Sequence, residues 1–202
     1  MAGSYKTIRS VSQGLFRDKG SRFISFAVPV KSAEEIKQNL DEYRKKYHDA
    51  RHHCFAYMLG PERDVWRVND DGEPSGTAGK PILGQINSFG LTDILIIVVR
   101  YFGGTLLGTS GLINAYKSSA YDALIHSTVI ELNVMNYYLA EFPYDIMNKV
   151  MKIIKEESII QSDQDFGLEC RTILSFSVES DVRILAKFGS LEKVKLTFLK
   201  TV

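Results

Sequence analysis

Asp93-Ile-Leu-Ile-Ile-Val-Val-Arg-Tyr-Phe-Gly-Gly-Thr-Leu-Leu-Gly-Thr-Ser-Gly111 is the stretch on which the fold turns. Its first half, Asp93–Tyr101, is an unbroken apolar run rich in β-branched residues, which predicts a strand buried on both faces. The glycines of Phe102–Gly111 end that strand in a turn. From Leu112 to about His126, Leu112, Ala115, Tyr116, Ala120, Ala123 and Leu124 recur at helical spacing, so a helix follows. Strand, glycine-rich turn and helix in this order form an anion-binding layout, because the first amides of a helix point into the turn. Thr109 or Ser110 is the expected helix cap.

Toward the N-terminus, Gly20–Pro29 holds Phe23, Ile24, Phe26 and Val28 and reads as a strand ended by Pro29. Ser32-Ala-Glu-Glu35 is a capping box opening a helix to about Tyr47. His52–Leu59 and Asp64–Val68 read as strands around the turn Gly60-Pro-Glu-Arg63. A polar, glycine-rich loop, Asn69–Pro81, separates them from a short helix over Ile82–Phe89. A loop of that length in a small domain is usually functional.

Beyond residue 132 the order changes. Val134–Phe142 reads as a strand and Pro143–Glu156 as a helix. Ser158–Gln164 and Leu168–Val178 read as strands joined at Asp165-Phe-Gly167, followed by a helix over Val182–Phe188 and a strand over Val194–Leu199. The order βαββαβ is that of a ferredoxin-like domain. The expectation is therefore an α+β protein with domains 1–132 and 133–202.

The chain has 202 residues, 45% apolar and 24% charged, enough for a real core. No apolar run reaches the roughly 18 residues of a membrane span, and Met1–Ser12 has no signal-peptide core, so a cytoplasmic protein without membrane contact is expected. Cys54 and Cys170 are far apart, in no metal-binding spacing, and read as free thiols of a reducing compartment. The net charge of +1 hides an asymmetry: residues 1–60 carry 11 Lys/Arg and 6 Asp/Glu, the rest 14 and 18. A basic N-terminal region suits phosphate or an acidic protein surface, or equally is a solvated face.

Three constellations carry possible chemistry. In Asp71-Gly-Glu-Pro-Ser-Gly-Thr-Ala-Gly-Lys-Pro81, glycines allow close approach, Lys80 is a cation, and Ser75 and Thr77 are donors. Pro74 and Pro81 stand where a Walker A loop needs Gly and Ser or Thr, which excludes that motif. In Arg100–Gly111, an arginine beside Tyr101 and Phe102 suits stacking and charge pairing with nucleic acid, or the same aromatics are core and Gly103 and Gly104 only shape a turn. In His48-Asp-Ala-Arg-His-His-Cys54, His48 and His52 have zinc-like helical spacing, but the strand pattern from His52 breaks that geometry. Glu73, Asp71 and the histidines could pair as acid and base, yet no specific catalytic signature stands out. No metal or cofactor is expected.

The stretches Asp71–Ile82 and Val98-Val-Arg-Tyr-Phe-Gly-Gly-Thr-Leu-Leu-Gly108 resemble the signature of the IMPACT/YigZ family, in order and at suitable spacing. Lys19-Gly-Ser-Arg-Phe23 and Ala50-Arg-His-His-Cys-Phe-Ala-Tyr57 resemble its early strands. The resemblance implies an N-terminal domain like the second domain of a small-subunit ribosomal protein, a fold shared by GHMP kinases and elongation factor G. It also implies a ferredoxin-like C-terminal domain like the last of elongation factor G. Eukaryotic relatives regulate translation under starvation through a protein partner, using a flanking domain this sequence lacks.

The reading that follows is a non-enzymatic, translation-associated protein that contacts RNA, the ribosome or a translation factor. Lys19, Arg22, Arg51, Lys80, Arg100, Tyr101 and Phe102 would form its surface, with Glu73, Ser75, Gly103, Gly104, Thr109 and Ser110 as further binding candidates. No DNA specificity is expected. Two alternatives stand beside it: a phosphate- or nucleotide-binding enzyme, from the likeness of Leu107-Gly-Thr-Ser-Gly111 to the GHMP kinase phosphate loop, and a protein–protein adaptor using the same loops.

Overall fold

The computed structural model describes residues 3–202. Met1 and Ala2, which open both the 1–132 region and the segment read for a signal sequence, lie outside the described residues. The described residues divide into two compact units, one of residues 5–132 and one of residues 3–4 with 133–202. Among the described residues no helix is long and apolar enough to cross a membrane.

The larger unit holds, but for the end residues Ser4 and Asn133, β1 (Ser4–Ile8), β2 (Ser12–Asp18), β3 (Ser21–Pro29), α1 (Ala33–Lys46), β4 (His52–Leu59), β5 (Val65–Asn69), α2 (Gly79–Ser88), β6 (Ile94–Tyr101), α3 (Gly108–Ile125) and β7 (Val129–Asn133). Five strands pair in the order β2-β3-β6-β4-β5, each antiparallel to its neighbour, and β1 pairs with β7 apart from them. The central strand β6 is buried on both faces, as its continuous apolar run requires. Ile94, Ile96 and Val98 pack among residues of α2 and α3, while Leu95, Ile97 and Val99 pack with Ile36, Leu40 and Tyr43 of α1. The unit therefore has three layers, with helices on both faces of the sheet.

Local chemistry fixes the helix starts. The Ser32 hydroxyl accepts from the Glu35 amide at 3.2 Å, as a capping box requires, but Glu35 accepts from Lys31 instead of from Ser32 itself. α2 begins at Gly79, three residues before the expected start, and so takes Lys80 and Pro81 into its first turn, where a proline costs no hydrogen bond. α3 begins at Gly108, which has a φ of 71°. The cap position is thus Leu107, with no side-chain cap bond, and Thr109 and Ser110 lie inside the helix instead of capping it.

The smaller unit contains β8 (Met135–Pro143), α4 (Met147–Glu156), β9 (Ile160–Phe166), β10 (Glu169–Ser177), α5 (Asp181–Gly189) and β11 (Lys195–Thr201). Its sheet order is β11-β8-β10-β9, all antiparallel, which with the chain order is the ferredoxin-like arrangement. Val150 and Ile154 of α4 and Ile184 and Phe188 of α5 sit four residues apart and bury one helix face each against Tyr138, Ala140, Phe142 and Leu174. The residues expected to begin the first of these helices instead form a 3-10 turn, Tyr144–Ile146.

Candidate functional site

The five-stranded sheet brings the ends of three strands together. In the register, Arg22 opposes Tyr101, and both Phe23 and His52 oppose Arg100. Successive strand residues point to opposite faces. Arg100 therefore follows Val98 toward α2 and α3, and Tyr101 follows Val99 toward α1.

On the α2/α3 face lies a buried polar network. Arg100 is only 5% exposed, and its Nη1 donates to Oε1 of the buried Glu73 at 2.5 Å. The Tyr116 hydroxyl of α3 donates to the same oxygen at 2.8 Å. The Cys54 thiol stands 3.3 Å from that hydroxyl and 3.0 Å from the Asp70 carbonyl. Burial pushes the Cys54 thiol far up, so it is an inert, protonated group at neutral pH. Burial, and then Cys54 and Glu73, likewise raise the Tyr116 phenol, which stays a hydrogen-bond donor. The guanidinium of Arg100 lies 5.3 Å from the Phe23 ring centre and 5.7 Å from the Phe102 ring centre. His52, Glu73, Arg100 and Phe102, with Arg51 and Leu106, line a cavity of about 200 Å³.

At the same end of the sheet, the β2–β3 turn makes a second cavity of about 480 Å³ lined by Arg17, Lys19, Gly20, Ser21, Arg22 and Tyr101. Asp18 is the one acidic residue in its wall. The Arg22 guanidinium lies 4.5 Å from the Tyr101 ring centre. The Tyr101 hydroxyl donates to Asp49 at 2.8 Å, which holds the Asp49 carboxyl below the usual range. Gly103 packs directly on Gly20: a Cβ there would overlap the Gly20 and Ser21 backbone. That contact ties the second glycine loop to the β2–β3 turn.

The first glycine-rich loop has a different role from the one its composition suggests. Its amides do not wait for a phosphate. Asp70 accepts from the amides of Gly76, Ala78 and Gly79 at 2.8, 3.0 and 2.8 Å. Burial disfavours the Asp70 charge, but these bonds and Lys80 outweigh it and hold the carboxyl below its usual range. An internal carboxylate thus fills the anion position at the start of α2. Ser75 and Lys80 are exposed on the outside of this loop, while Thr77 is buried and bonded to the Pro74 carbonyl.

The structure brings Arg51, Glu73, Arg100 and Phe102 to one cavity and Lys19, Arg22 and Tyr101 to the other. Gly104, Thr109 and Ser110 are exposed and line neither. Arg100 is not the exposed cation expected for stacking on nucleic acid, because Glu73 neutralises it inside the fold. His48 is exposed beyond α1 while His52 is in β4, and among the described residues no cluster of three His, Cys, Asp or Glu could hold a metal. Sequence reasoning missed Arg17, because β2 went unread, and the hydrogen-bonding role of Tyr116. A tyrosine at a buried helix position needs a partner for its hydroxyl, and that requirement was the available signal.

The family model for the Impact N-terminal domain matches residues 19–124, which include every residue lining the smaller cavity and all those lining the larger one except Arg17 and Asp18. IMPACT family member YvyE of Bacillus subtilis is 34% identical over 160 residues, covering 79% of this chain and 74% of that protein. IMPACT family member YigZ of Escherichia coli is 37% identical over 149 residues, covering 72% and 73%. A crystal structure of a hypothetical protein superposes with a TM-score of 0.78 at 27% identity, covering 99% of both chains. With its matching domain, its full-length structural likeness and its bacterial relatives, the chain belongs to the IMPACT family.

Proposed function

We propose that this protein is a non-enzymatic RNA-binding protein acting in translation, and that the end of the five-stranded sheet is its RNA surface. The observation that carries this reading is the cavity at the β2–β3 turn. It sets three cations, Arg17, Lys19 and Arg22, in one wall with an aromatic ring, Tyr101, which the Arg22 guanidinium approaches to 4.5 Å. Cations beside an aromatic suit single-stranded nucleic acid, with phosphates on the charges and a base on the ring. Arg51 and the exposed Phe102 extend the surface across the end of β6. The link to translation rests on family membership, through the role of the eukaryotic relatives.

Binding of single-stranded and ribosomal RNA across a salt series tests the proposal. Affinity falls with rising salt, because each neutralised phosphate releases counterions. An Arg17→Ala/Lys19→Ala/Arg22→Ala variant loses affinity and shows a salt slope shallower by about 2–3. These side chains lie at the edge of the fold, so its unfolding transition should match that of the unaltered protein. No binding at low salt, or full binding by the variant, contradicts the proposal.

A further inference from the structure

The smaller cavity holds polar atoms that the protein itself leaves unpaired. Both hydrogen bonds to Glu73 fall on Oε1, and among the described residues none reaches Oε2. Arg100 uses only Nη1, and its Nε is buried without a partner. His52 Nδ1 stands 2.7 Å from the Asp71 carbonyl, so it carries the ring proton and leaves Nε2 an acceptor in the neutral ring. The nearest carboxylate oxygen, on Glu73, is 3.8 Å from Nε2, beyond hydrogen-bond reach. Buried polar groups normally have partners, and Arg100 Nε has none; with two acceptors of Glu73 and His52 also left open by the protein, the cavity calls for a ligand of matching pattern or for water. Phe102, a residue 43% exposed, adds an aromatic ring.

We propose that this cavity takes a single unstacked nucleobase, and that guanine matches it best. The base stacks on Phe102. Its N1–H and 2-amino donors meet Glu73 Oε2 and His52 Nε2, and its O6 accepts from Arg100. Arginine is a frequent partner of guanine O6, and single-strand readers commonly pair aromatic stacking with recognition of the base edge. The physiological source of the base rests on the RNA reading above. A free mononucleotide carries the same chemistry, which lets the two be tested apart.

The experiment is an amide NMR titration of the labelled protein with GMP, AMP, CMP, UMP and ribose 5-phosphate. GMP is expected to move the amides of Gly72, Glu73 and Gly103 at the lowest concentration, and ribose 5-phosphate to leave them in place. Phe102→Ala, at an exposed position that should keep the fold, weakens GMP about tenfold, as loss of one stacking contact predicts. Phe102→Tyr restores it. Equal shifts from ribose 5-phosphate would mean that the cavity reads phosphate and would overturn the proposal, as would the absence of shifts with every nucleotide. Equal affinity for all four nucleotides would overturn the guanine assignment. If RNA binds tightly but Phe102→Ala changes nothing, the base pocket fails and the RNA surface stands. If GMP binds but no RNA does, the RNA reading fails and the pocket stands.

Discussion

The two loops are both rich in glycine and reach different ends. The loop over residues 69–81 folds around its own anion, with three amides on Asp70, and delivers Glu73 to Arg100 from within. The loop over residues 102–107 has no internal carboxylate. It stays outside, with Leu106 82% exposed, and is fastened at Gly103 against Gly20. Glycine content marks where backbone can come close, but not what it comes close to. A carboxylate within the loop can satisfy the amides that a phosphate would otherwise meet, and the first loop is an example.

The largest expected effect tests the closed loop at its charged end. Glu73→Ala leaves Arg100 buried and unpaired, and should cost about 3–5 kcal/mol in urea unfolding. A cost below about 1 kcal/mol would show that Arg100 relaxes to solvent and that the loop is less closed than described.

Next comes the fastening of the open loop. Gly103→Ala places a Cβ onto the Gly20 and Ser21 backbone, which has no flexible side chain to give way. The expected cost is about 1–3 kcal/mol, with weaker RNA binding because the β2–β3 turn must move. A variant as stable as the original protein would break the link between loop and turn.

Asp70→Asn should cost about 1–2 kcal/mol at neutral pH, since the amides of α2 lose their charged acceptor. The carboxyl of Asp70 is held low in the folded protein. Its contribution is therefore full above the unfolded carboxylate value of about 4, and is lost as pH falls through the lower folded value. Urea unfolding of both proteins at neutral and at strongly acidic pH should show their stabilities converging in acid. A difference independent of pH would mean that shape, and not charge, holds the loop.

The smallest effect is expected at the start of α3. Neither Thr109 nor Ser110 caps that helix, so Thr109→Ala and Ser110→Ala should each change stability by less than about 0.5 kcal/mol. A larger loss would restore the capping role that their position suggests.

Much of the fold was legible because its elements carry their own patterns. β6 reads as buried from its continuous run, and α4 and α5 read as helices from apolar residues four apart. β1, β2 and β7 were not read. They are short or half-exposed, and in β2 Gly14 interrupts the alternation because its Cβ would strike the Ala123 backbone. At the site, Arg100, Phe102 and Glu73 were picked out by type, but the bond that pairs Arg100 with Glu73 spans 27 residues and no local spacing announces it. The strand register created it, and with it the difference between a buried cation and an exposed one. Arg17 stayed hidden for the same reason, since only the pairing of β2 with β3 places it beside Tyr101.

RNA is expected to meet the end of the sheet and the open loop, and to leave residues 76–80, where the closed loop folds around Asp70, alone. An amide NMR map of the labelled protein with a short single-stranded RNA tests it most directly. Shifts are expected at residues 17–22 and 101–106, with silence at residues 76–80. Shifts concentrated at residues 76–80, with the β2–β3 turn unmoved, would contradict it.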